Sequence, residues 1–75
     1  MNLESVGNDS RANDIAKKLG LRDGAHQLKE EAGVRKSEMS LYDIKYDTKT
    51  RKIYVVRKDR SGSPIDTYLT MPSGY

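Results

Sequence analysis

Cysteine, tryptophan and phenylalanine are all missing from this chain, and histidine occurs once, at position 26. Without cysteine there is no disulfide, no thiolate zinc site and no thiol nucleophile. A single histidine argues against a dedicated transition-metal site, so neither a metal nor a cofactor is expected. With Phe and Trp absent, the core must come from Leu, Ile, Val, Ala, Met and the five tyrosines. No apolar run reaches the ~18 residues of a membrane-spanning helix, and no signal-peptide hydrophobic region is visible. Any export signal is therefore expected outside these 75 residues. The scattered glycines make no phosphate-binding loop, no serine sits in a nucleophile elbow, and no carboxylate pair has glycosidase spacing.

What is present is one domain's worth of chain, near the size at which a single apolar core barely suffices. The net charge is +3, and its distribution is uneven. Residues 1–38 hold seven Lys/Arg and seven Asp/Glu, whereas residues 39–75 hold seven Lys/Arg against four Asp. The entire excess falls on the second half. A cationic face tracking one part of a fold is the footprint of a polyanion partner, RNA before a narrow peptide. Many small basic proteins carry such charge without binding nucleic acid.

The period of the apolar residues changes once along the chain. Residues 1–9 show no period and read as a flexible N-terminal segment, leaving 10–75 as a single α+β domain. Ala12, Ile15, Ala16 and Leu19 recur at helical spacing after the cap-rich Asn8-Asp9-Ser10, and Gly20-Leu21 reads as a left-handed helix end. A second helix is expected over about 24–32, capped by Asp23 and ended by Gly33. From Met39 the period is two: Tyr42, Ile44 and Tyr46 form a strand, and Asp47 to Thr50 a turn. Arg51–Lys58 form the strongest strand, apolar on both faces and so central. A loop at 59–64 leads to a last strand from Ile65, stopped at Pro72. The fold class is α+β, two short N-terminal helices packed on a three- to four-stranded antiparallel sheet.

His26 lies off the apolar stripe of its helix, free to give and take a proton near neutral pH. Lys29 follows at i+3 on the same face, where a cation can hold a phosphate. Glu30 at i+4 could orient the imidazole or serve as a plain surface charge. The strand half supplies Lys52, Arg57 and Lys58 with Tyr54 and Tyr68 among them. Cations can neutralise the charge of a phosphorane and tyrosines can stack on unpaired bases. Thr67 places a hydroxyl near the start of the last strand, where a phosphate oxygen could bind. A ribonuclease needing no metal is the enzyme class least hindered by the missing motifs. Each residue also has a plainer reading: a surface histidine, solvated lysines, strand-forming tyrosines.

The order Ala25-His26-x-Leu28-Lys29, Tyr42-Asp43-Ile44, Asp47-x-x-Thr50-x-x-Ile53-Tyr54 and Gly62-x-Pro64-Ile65-x-Thr67-Tyr68 covers about residues 14–70. It resembles the C-terminal toxin modules of bacterial polymorphic toxins, of the contact-dependent and Rhs types. Where such modules are expected to have glycine after the turn threonine, Arg51 stands. The resemblance implies a metal-independent ribonuclease similar to the barnase, colicin and RelE group. It implies secretion as part of a larger effector, action on RNA in the cytoplasm of a competing cell, and neutralisation by a cognate immunity protein. His26 would then be the general acid or base, Lys29 and Arg57 would stabilise charge, and Thr67 would contact phosphate. Lys52, Tyr54, Lys58 and Tyr68 would bind RNA, with the free domain a monomer.

Two other readings remain open. Ile15 to Leu21 before a second helix resembles the opening of a helix-turn-helix DNA-binding module with the hairpin as a wing. Glu30 and Glu31 suit a recognition helix poorly. A non-catalytic protein-interaction domain could use the last strand as an open pairing edge.

Overall fold

The computed structural model describes residues 1–75, with seven elements in chain order. They are β1 (Leu3–Ser5), α1 (Asp9–Lys18), α2 (Ala25–Glu31), a 3-10 helix (Lys36–Leu41), β2 (Tyr42–Asp47), β3 (Lys52–Arg57) and β4 (Ile65–Thr70). The strands form one antiparallel sheet in the order β1-β2-β3-β4. The α+β class is as expected from the sequence, but the helices do not all precede the sheet.

The stripe expected on α1 is the buried one. Ala12, Ile15 and Ala16 meet Leu28 of α2 and Ile44 and Ile53 of the sheet, with Val6, Leu21 and Met71 closing the cluster. A smaller cluster, Val34, Met39 and Val55, continues under the 3-10 helix. Asn8 caps α1, its Oδ1 accepting from the Arg11 N–H at 2.9 Å. The other end closes as Gly20 and Leu21 foretold: Leu21 N–H donates to Ala16 O and Gly20 N–H to Lys17 O, a Schellman motif. Val34 and Gly33 repeat the same pair of bonds onto Lys29 and Glu30 at the end of α2.

Two expectations are corrected. Residues 1–9 are not a loose arm, because Leu3, Glu4 and Ser5 pair with Asp47, Tyr46 and Lys45. Val6 is buried in the core, and its carbonyl accepts from the Arg11 guanidinium at 2.6 Å. Nor does Asp23 cap α2. The capping oxygen comes from α1, where Asn13 Oδ1 accepts from the Ala25 N–H at 2.8 Å. Gly24 permits this approach: a Cβ there would lie 2.6 Å from the Asn13 oxygen. That bond fixes the start of the helix bearing His26 directly against α1.

The β2–β3 turn shows what Arg51 does in place of glycine. It takes the left-handed conformation itself, at φ 68°, and its guanidinium lies over the Tyr46 ring, 5.7 Å from the centroid. Asp47 accepts from the Lys49 and Thr50 N–H groups at 2.8 and 3.2 Å. Those two bonds hold its carboxyl below the usual carboxylate range.

Candidate functional site

A cleft of about 450 Å³ opens between the start of α2 and the β1–β2 side of the sheet. His26, in the first turn of α2, is exposed at it, and Lys29, one turn on, lies in the same wall. Facing them are Asp43 and Lys45 of β2 and Lys58, the residue after β3. The Lys58 N–H donates to Leu41 O at 2.9 Å, tying the end of β3 to the 3-10 helix. Asp9, at the start of α1, is the second carboxylate of the lining.

Lys29 is the most constrained of these groups. Its Nζ donates to Met39 O at 2.7 Å, which leaves two of its three hydrogens unassigned. Partial burial pushes its pKa down, Lys58 adds to that, and Asp43 and Asp9 oppose it. Its ammonium is thus a better proton donor than an ordinary lysine. It also sits within electrostatic reach of groups from α1, β2 and the end of β3.

A second cleft, of about 370 Å³, adjoins the first and shares Asp43, Lys45 and Lys58 with it. Arg57 and Arg60 line it with Ser61 and Pro64 of the β3–β4 loop. Arg57 is already engaged: its Nε lies 3.4 Å from Asp59 and its guanidinium 5.5 Å from the Tyr42 ring centroid. Asp59 in turn accepts from the Ser61 hydroxyl and N–H at 2.7 and 2.9 Å. The Ser61 bonds first, then Arg57, pull its carboxyl down to about 2. Lys45, Lys58 and Arg60 form no ion pair.

The residues singled out from the sequence therefore divide. His26, Lys29 and Lys58 share the first cleft, and Arg57 sits next door in the second. Thr67 joins neither. It is 3% exposed, its Oγ1 donating to Ile53 O at 2.7 Å and accepting from the Leu69 N–H at 3.2 Å. Its hydroxyl is spent on the backbone, so the phosphate contact expected of it is corrected to a structural role.

Lys52 lies 4.0 Å from Asp66, and Tyr54 is a half-buried strand residue opposite Lys45 and Asp66. Tyr68 is 87% exposed on an irregular stretch of β4. None of the three lines a cleft. Glu30 is exposed and outside the lining as well. Asp43, Lys45 and Arg60 are the site residues that sequence reasoning passed over. Asp43 and Lys45 were visible as the charged alternates of β2, but nothing tied them to His26 without the register of β1, β2 and the helices.

A histidine, a desolvated lysine and two further lysines around one cleft can hold an anion, take one proton and give another. The chain matches no known protein family, no curated protein and no solved structure, so its site rests on this geometry.

Proposed function

We propose that the chain is an RNA-cleaving domain that works without a metal, with His26 as general base and Lys29 as general acid. The single observation behind this is that His26, Lys29, Lys45 and Lys58 line one cleft together with Asp43. RNA supplies its own nucleophile. The 2′-oxygen forms a bond to phosphorus while its proton passes to His26. The bond from phosphorus to the 5′-oxygen breaks, and that oxygen takes a proton from the Lys29 ammonium. The products are a 2′,3′-cyclic phosphate and a 5′-hydroxyl, and exchange with water restores both residues. Lys58 and Lys45 face the extra negative charge of the phosphorane, where fixed cations lower the barrier most. Thr67 has no part, and Arg57, in the adjoining cleft, is held by Asp59.

The wider setting is supported by the motif order alone. In it the domain is the toxic end of a larger secreted effector, acts in a competitor's cytoplasm, and is held silent by an immunity protein in the producer. The helix-turn-helix reading gains less from the geometry. α2 is only seven residues long, buries Leu28, and presents His26, Glu30 and Glu31 outward.

Purified protein incubated with total RNA, with and without a chelator, tests the proposal. Fragments ending in 2′,3′-cyclic phosphate are expected in both samples. His26→Ala should abolish them with stability unchanged to within ~0.5 kcal/mol, as for an exposed side chain. Undiminished cleavage by His26→Ala, or cleavage only without chelator, would overturn the assignment.

A further inference from the structure

We infer that the second cleft is a binding site for a neighbouring phosphate of the same strand, so that the ligand is a single-stranded oligonucleotide and not a mononucleotide. This deepens the ribonuclease reading and rests on it for the identity of the polyanion. The two clefts adjoin, sharing Asp43, Lys45 and Lys58, so two lysines stand at the border that a strand passing from one to the other would cross. Across both linings stand Lys29, Lys45, Arg57, Lys58 and Arg60 against Asp9 and Asp43, and with Arg57 paired to Asp59 the excess left for a ligand is two. One phosphodiester beside His26 leaves half of that excess unanswered.

The loop holding Arg60 is built rather than loose. Asp59 accepts from Ser61 twice, and Arg60 itself sits at φ 65° with its N–H donating to Arg57 O at 3.0 Å. Asp59 neutralises Arg57, which leaves Arg60 as the uncommitted cation at that end of the groove. A chain of phosphates running from Lys29 past Lys58 to Arg60 meets a cation at each stage.

Salt dependence reads this directly, because each phosphate contact to a single strand adds ~0.7 to the slope of log K against log salt. The probe is a fluorescein-labelled 2′-O-methyl hexanucleotide, which has no free 2′-OH and cannot be cleaved. Binding is followed by anisotropy across a salt series and compared with competition by a 3′-mononucleotide. Arg60→Gln should weaken hexanucleotide binding and lower the slope by ~0.7, with mononucleotide competition unchanged. Lys17→Gln, which removes an exposed charge of α1 outside both clefts, should leave the slope as it was.

A slope untouched by Arg60→Gln, or lowered equally by Lys17→Gln, overturns the second site even where RNA is cleaved. If Arg60 sets the slope and total RNA stays intact, the cleavage reading falls and the strand-binding groove stands. Absence of hexanucleotide binding overturns the groove.

Discussion

At the scale of single residues, the same side chain means different things once its partners are known. Thr67 was a reasonable phosphate ligand by its place near the start of the last strand, yet its hydroxyl is consumed between Ile53 O and Leu69 N–H. Thr67→Val keeps the shape and strips both bonds from a buried place, so it should cost about 1–3 kcal/mol in urea denaturation. The proposed RNA cleavage should stay the same per folded molecule, since Thr67 lines neither cleft. Loss of cleavage in a fully folded Thr67→Val protein would return the residue to the site. Tyr68 makes the related point about backbone. It lies at φ 63° with its N–H donating to Asp66 Oδ1 at 2.7 Å. That conformation is costly for a tyrosine and no alternation of residue types announces it.

At the scale of elements, legibility followed the range over which the signal acts. α1, α2 and β2 to β4 were readable because period 3.6 and period 2 are properties of neighbours in the chain. The Schellman ends were readable from Gly20-Leu21 for the same reason. The β1 strand was not, being three residues with no period, whose partner Asp47 lies 44 residues from Leu3. The Asn13 cap of α2 was hidden likewise, because the nearer Asp23 looked sufficient while the bond that forms comes from another helix. Of the site, His26 and Lys29 were legible as one helix face, whereas Asp43, Lys45 and Arg60 depended on register.

The turns make their own prediction. Asp47 and Asp59 both have carboxyls held below the ordinary 3.8 by bonds to backbone and neighbours, Asp59 at about 2. A depressed folded pKa contributes stability that is whole above the unfolded value and fades as pH falls through the folded one. Thermal stability should therefore drop as pH is lowered from 3.8 towards about 2. The Asp47→Asn, Asp59→Asn double variant should drop less steeply over that window, because it has no proton to take up at either place. Parallel curves would show that neither turn carries the acid sensitivity.

At the scale of the whole molecule, the fold and the cleft depend on the same first residues. β1 covers the free edge of β2, Val6 sits in the core with Ile15 and Ile44, and Ser5, Val6 and Gly7 form one wall of the cleft. A domain of this length has roughly 4–11 kcal/mol of stability in all, at about 0.05–0.15 kcal/mol per residue. Burying one valine accounts for about 1.5–3 kcal/mol of that. Val6→Ala should consequently cost about 2 kcal/mol and lower the melting temperature while leaving a cooperative transition. Deleting residues 1–6 removes Val6, the β1 ladder and the acceptor that holds Arg11, and should abolish the cooperative transition altogether. The proposed RNA cleavage should survive the point substitution at temperatures below its melt and vanish with the deletion. If the shortened chain melts as sharply and as high as the full one, the first residues are after all the loose arm their sequence resembles. The cleft would then have to be closed by α2 and β2 alone.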